Sequence, residues 1–197
     1  MSPKQQRGAE TADRLLDAAL QVYAEAGEQG VTVSALTKAS GVSLGSLYHH
    51  FGSVDGLMNA LLVRWLGRLL GELVAPVQRS RTAKTGIRAL VRTYLTFIQE
   101  NPDAARLVHS YYADRLIMDQ AKQLRDAQEA RLSPLGVWAQ QHMESGEIVR
   151  LSVPMVEALV MGPVIATARR WLSGIDDSDL EEAVRVLPER IWRSISA

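Results

Sequence analysis

TVSALTKASGVSLGSLYHHFGSVDGL, residues 32–57, holds two short helical runs on either side of Gly41-Val42-Ser43. Thr32 is placed to cap the first run, whose Val33, Leu36 and Ala39 recur at helical spacing. Gly41 supplies the left-handed turn that ends it. Ser43 is the next N-cap, and Leu44, Leu47, Tyr48 and Phe51 carry the period on until Gly52 closes the run. Helix, tight Gly-containing turn, helix is the helix-turn-helix pattern, whose second helix enters the major groove of DNA.

The second run suits that task. The N–H groups after Ser43 form a positive helix end for a phosphate, and Gly45 and Ser46 are small enough to bring the backbone close. Tyr48, His49 and His50 offer a phenol and two imidazoles to phosphates or base edges. Tyr48 serves equally well as a core aromatic with a satisfied hydroxyl, and adjacent histidines point to different faces of a helix.

These residues resemble the DNA-binding domain of the TetR family of one-component bacterial regulators. Thr32, Leu36, Thr37, Ser40-Gly41-Val42-Ser43, Gly45-Ser46-Leu47-Tyr48, His50-Phe51 and the helix start from Ser53 to Leu57 stand where that family's pattern expects them. The resemblance implies DNA contacts from Thr32, Ser43, Gly45, Ser46, Tyr48 and His49, and core positions near Leu36, Leu47 and Phe51. Leu44 and Lys38 join the candidate DNA-contacting set. Val54 departs from the pattern: the family usually carries there a lysine that reaches a phosphate.

Charge supports DNA binding less well than the motif does. The whole chain has 22 Lys plus Arg against 22 Asp plus Glu. Residues 1–56 carry four basic residues (Lys4, Arg7, Arg14, Lys38) and six acidic ones (Glu10, Asp13, Asp17, Glu25, Glu28, Asp55), a net charge of −2. Counterion release supplies much of the affinity of DNA-binding proteins, so few charged phosphate contacts are expected per subunit. Lys4, Arg7, Lys38 and Arg14 are the candidates, the first two on an N-terminal arm that either folds onto DNA or stays a solvated tail.

Helical periodicity runs through all 197 residues. The expected fold is all-α: an N-terminal three-helix helix-turn-helix DNA-binding domain at 1–56 and a C-terminal helical ligand-binding and dimerisation domain at 57–197. Thr11 is expected to cap a helix ending near Ala26, and a long helix runs from Ser53 to about Pro76 with apolar residues on two faces. The polar stretch Gln78–Thr85 is the expected inter-domain connection. Asn101-Pro102 restarts a helix carrying Leu107 to Leu116, and Ser133-Pro134 should kink or split the region from Met118 to Glu144. Ser152 and a Ser178-x-x-Glu181 capping box open the last two helices, which Pro163 and Pro188 should bend.

Those last helices suit pairing with a second copy, because helix-turn-helix proteins usually read two half-sites through a two-fold dimer. In the TetR family they commonly make that interface. Leu159, Gly162, Ala166, Leu187 and Ile191 are its candidates here. An effector pocket, implied by the resemblance, draws on apolar residues with polar tips: Tyr94, Phe97, His109, Tyr112, Trp138, His142 and Met161. An aromatic and Met stripe at helical spacing is more often simple core, and that holds for any single one of these.

The chain contains no cysteine, which excludes disulfides, thiolate metal sites and cysteine nucleophiles. It has no His-x-x-x-His zinc pair, Walker loop or nucleophile elbow, so no catalytic residues, metal or cofactor are expected. Asp176-Asp177-Ser178-Asp179 lacks the length and closing Glu of a calcium loop. No apolar run reaches the roughly 18 residues of a membrane span and no signal-peptide core is visible, so a cytoplasmic protein is expected. The leading expectation is a homodimeric repressor that binds a palindromic double-stranded operator and is released by a small lipophilic or aromatic effector. The alternatives are an activator, an all-α small-molecule binding protein without DNA readout, or an enzyme with an unrecognised helical active site.

Overall fold

The computed structural model describes residues 3–175 and 179–197. Among them are nine helices: α1 (Pro3–Gly30), α2 (Val33–Ser40), α3 (Leu44–Phe51), α4 (Val54–Gln78), α5 (Ala83–Glu100), α6 (Pro102–Val108), α7 (Tyr111–Glu144), α8 (Val153–Leu172) and α9 (Leu180–Ile195). They form two compact units, Met1–Leu66 with Arg106–Ala121, and Gly67–Ala105 with Lys122–Ala197. Residues 57–66 and 106–121 thus cluster with the N-terminal segment, and 78–85 lies inside the second unit instead of joining the two.

The first unit follows its caps. α1 begins at Pro3, not at Thr11, so the expected arm is helical; the Thr11 hydroxyl donates to the Arg7 carbonyl at 2.8 Å, a mid-helix bond. The Lys4 side chain lies outside the described residues. Gly27, at φ 69°, breaks α1 near its end. Thr32 caps α2 by accepting the Ala35 N–H at 3.2 Å, and Gly41 (φ 63°) closes it, donating its N–H to the Thr37 carbonyl at 3.0 Å. Between the helices the buried Ser40 hydroxyl donates to the Leu36 carbonyl at 2.6 Å and accepts the Val42 N–H at 3.1 Å. Ser43 then caps α3, and Ser53 caps α4 by accepting the Gly56 N–H at 2.9 Å.

Leu15, Ala19, Leu36, Leu47, Leu57 and Leu61 are fully buried and form the centre of this unit. Of the expected α2 face, Leu36 is buried and Ala39 exposed; Ser40 takes the inward place. At the edge, Arg64 on α4 pairs with Asp17 and, at 3.6 Å, with Asp13 on α1. The first turns of α7 are held in two ways. Arg115 pairs with Glu28 at 3.3 Å, and the buried Tyr112 hydroxyl donates to Asn59 Oδ1 on α4.

In the second unit, α5 buries Ile87, Leu90, Val91, Tyr94, Leu95 and Ile98, the face its periodicity predicts. α8 adds Val156, Val160, Val164 and Ala168, and α9 adds Leu180, Ala183, Ile191 and Ile195. Thr82 and Thr85 form a capping box at the start of α5. Trp138 packs against α5 where Gly86 leaves room: a Cβ there would stand 2.1 Å from the ring. The Glu147 carboxylate accepts the Ala83 N–H at 2.8 Å and meets His142 Nδ1 at 2.9 Å. An isolated antiparallel bridge, Ile148 with Ser196, ties the chain's end to this corner.

Several sequence expectations change. Asn101 closes α5, its side-chain amide donating to the Phe97 carbonyl at 3.1 Å, while Pro102 does open α6. The run from Leu107 to Leu116 breaks after Val108, and Ser110 caps α7 by accepting the Ala113 N–H. α7 passes through Pro134 as helix, and its one non-helical residue is Gln120 (φ −131°, ψ 31°). Residues 117–121 around it are all exposed, so no tertiary packing holds that turn in helical geometry. Ser152 stands at the N-cap of α8 without a side-chain cap bond. Ser178 lies outside the described residues, as do Asp176 and Asp177; α9 is capped by Asp179, which accepts the Glu181 N–H at 2.7 Å. α8 and α9 continue as helix through Pro163 and Pro188.

Candidate DNA interface and effector domain

α3 is a short helix fixed at both ends and pinned in the middle. Ser43 Oγ accepts the Ser46 N–H at 3.3 Å and donates to Ser46 Oγ at 3.1 Å. Gly52 (φ 72°) ends the helix by donating its N–H to the Tyr48 carbonyl at 2.9 Å. Leu47 is its one fully buried side chain, so the helix is anchored through a single apolar knob. Arg14 supports the turn from α1, donating Nη2 to the Ser40 carbonyl at 2.7 Å, where it also faces the negative end of α2. That bond gives Arg14 a structural partner in addition to its candidacy for phosphate.

The opposite face is open. Leu44 and Tyr48 are each 48% exposed, which removes Tyr48 from the core; Thr32, Lys38, Ser43, Gly45 and His49 are exposed and Ser46 is partly so. The eight predicted DNA-contacting residues therefore share one helix-turn-helix segment, with their side chains largely in solvent. His50 turns from the reading face toward α1, where its Cε1 lies 3.8 Å from the position of a Cβ on Gly8. Sequence reasoning missed the helical extension of α1 that carries Gln5, Gln6 and Arg7. Pro3, at its first position, was the available signal.

Residues 15–61, the stretch containing this segment, match the family model of the bacterial regulatory proteins, tetR family. Residues 15–61 are a tetR-family DNA-binding domain. Over 119 residues it is 30% identical to the HTH-type transcriptional regulator BetI of Rhizobium meliloti, a match covering 56% of this chain and 59% of BetI. The solved structure of a TetR family transcription regulator from Marinobacter aquaeolei shares the fold at a TM-score of 0.77 and 20% identity, covering 98% of both chains. FadR of Bacillus subtilis, solved in complex with stearoyl-CoA, aligns at a TM-score of 0.72 and 21% identity, covering 90% of this chain and 96% of that one.

The predicted effector residues divide between the two compact units. His109 and Tyr112 belong to the first compact unit; Tyr94, Phe97, Trp138, His142 and Met161 belong to the second. Tyr112 is committed to Asn59, and its pKa is pushed up to about 12, first by burial and then by Asp55, against the opposing charge of Arg115. Burial raises the Tyr94 pKa well above the usual phenol value, with Arg169 opposing. Phe97 is 1% exposed. Trp138 and His142 pack edge to face at 4.7 Å, and the Ala83 N–H, followed by His142, holds the Glu147 carboxylate below the ordinary carboxylate range. Trp138 Nε1 is buried without a hydrogen-bond partner.

Two surface grooves occur in the second unit. One of about 300 Å³ is lined by Gln140, Met143, Glu144, Arg150, Leu151 and Val153; the other, about 380 Å³, lies between Arg92, Thr96 and Gln99 on α5 and Leu180, Glu181, Val184 and Arg185 on α9. Neither includes a residue predicted to bind effector. On the predicted dimer surface, Gly162 and Ala166 are exposed, Leu159 and Leu187 are partly buried, and Ile191 is 2% exposed within its own chain. Among the described residues no helix is long and apolar enough to cross a membrane.

Proposed function

We propose that this chain is a homodimeric transcriptional repressor whose paired α3 helices read a palindromic double-stranded operator, and which a small lipophilic effector releases. The observation that carries the reading is the division of α3 between a buried Leu47 and an exposed face of Leu44, Gly45, Tyr48 and His49. A helix capped at both ends, anchored on one side and bare on the other is suited to insertion into a major groove. Residues 1–56 are the reading part and 57–197 the effector-binding and dimerising part in this reading. Leu159, Gly162, Ala166 and Leu187 are the contact candidates across the dimer, with Ile191 supporting them from beneath.

The lipophilic effector class rests on the apolar α5 and α7 residues and on the fold shared with FadR, whose structure holds stearoyl-CoA. An effector coupling of about 1–3 kcal/mol would lower operator affinity roughly 5- to 150-fold, enough to switch a promoter. No reaction is assigned to the chain, and its place of action is the cytoplasm, where the operator is. The test is selection from a random duplex library by the purified protein, with salt titration of the winner. Enrichment of a palindrome with a shallow salt slope is expected, because residues 1–56 carry a net charge of −2. No enrichment at low salt, from folded and ligand-free protein, would leave the alternative favoured by that charge: a binding protein without DNA readout.

A further inference from the structure

The side chains of α3 exclude most of the usual ways of reading a base. LGSLYHHF contains no Arg or Lys to grip guanine, no Asn or Gln to grip adenine, and no Asp or Glu to accept from cytosine. Its reading face instead carries a half-exposed apolar residue. Leu44 is the first residue of the helix, is 48% exposed, and stands one turn before the equally exposed Tyr48. Gly45 beside it is open: a Cβ there would meet nothing within 4 Å. One base feature in the major groove is recognised by apolar contact, the C5-methyl group of thymine.

We propose that Leu44 is a specificity-determining residue that reads a thymine methyl group in each operator half-site. The inference rests on the DNA-reading function above and adds to it the chemistry of one base position. It makes that base a thymine chosen for its methyl group, with no hydrogen bond from Leu44.

The experiment removes only the methyl. In the duplex selected by the wild-type protein, each thymine is replaced in turn by deoxyuridine, and affinity is measured by fluorescence anisotropy for wild type, Leu44→Ala and Leu44→Met. At one thymine per half-site the replacement is expected to weaken wild-type binding about fourfold, the worth of one buried methyl-sized group. Leu44→Ala should lose that sensitivity and Leu44→Met should keep it, with thermal unfolding unchanged in both. The inference is overturned if no thymine shows a methyl effect in wild type, or if Leu44→Ala retains the effect in full. Failure to select any duplex is a different result: it removes the DNA-reading function and this inference with it.

Discussion

Leu47 and Tyr48 are neighbours on α3, yet their replacement by alanine should have opposite consequences. Leu47 is 0% exposed and is the only fully buried side chain of the helix. Leu47→Ala removes its transfer free energy and leaves a cavity, a loss of about 2–5 kcal/mol. The reading unit has few other contacts to α3, so relaxation should recover little, and the upper half of that range is expected. Tyr48 is 48% exposed and accepts the cap of Gly52 only through its backbone, so Tyr48→Ala should change stability by no more than about 0.5 kcal/mol. Its hydroxyl is free for a phosphate. A hydrogen bond to a charged group is worth about 1.5–3 kcal/mol, so its loss should weaken operator binding by roughly 10- to 150-fold. Urea unfolding followed by circular dichroism gives the first quantity and anisotropy on the selected duplex gives the second. The reasoning is refuted if Tyr48→Ala destabilises the protein as Leu47→Ala does, or if it binds the operator normally.

Gly86→Ala should destabilise the second unit by about 1–2 kcal/mol, because the new methyl meets the rigid ring of Trp138 at 2.1 Å and overpacking outweighs alanine's helix propensity of about 1 kcal/mol; on a Trp138→Leu background the sign should reverse in thermal unfolding. Ser40→Ala strands the Val42 N–H in a buried turn and should cost about 1–3 kcal/mol, read as a lower urea midpoint, with Ser40→Cys restoring less than the wild type. The folded Glu147 carboxylate titrates below its ordinary value, so its contribution is present above the unfolded pKa and is lost as pH falls through the folded one. A urea midpoint measured through the acid range should therefore fall more steeply for wild type than for Glu147→Gln. Tyr112→Phe deletes the bond to Asn59 and should lower the stability of the first unit by about 1 kcal/mol in thermal unfolding.

The reading segment was legible because everything that builds it is local. Thr32, Gly41, Ser43 and Gly52 each act on a backbone group within four residues, and each does in the structure what its chemistry predicts. Where the determinant was distant, the sequence was silent. Nothing near Gln120 marks it as the break in α7, since the cause is the lack of packing over residues 117–121, while Pro134, the visible signal, is carried inside the helix. Trp138 found its place against Gly86, 52 positions earlier. His142 found Glu147 only because the turn at Gly146 (φ 79°) brings the chain back.

The contrast between the two candidate sites follows from what each must be. A DNA-reading face is defined by residues that stay in solvent although nothing compels them to, and Leu44 and Tyr48 meet that condition visibly. A pocket is defined by space, and space has no letter in the alphabet. Tyr94 and Phe97 have the composition of a lipophilic lining, yet at 4% and 1% exposure they fill the α5 core as completely as Ile87 or Leu95. A ligand seated there would have to displace them, at a cost of the order of a core side chain's burial, about 1.5–3 kcal/mol each. An effector seated in that core would have to select a minor, opened arrangement of α5 and its neighbours, and its apparent affinity would be reduced by the fraction of the protein so opened. Substitutions that loosen that core without touching α3 should tighten the binding of a small lipophilic probe, an effect isothermal titration would register; tightening absent in every such variant would refute an effector site in that core.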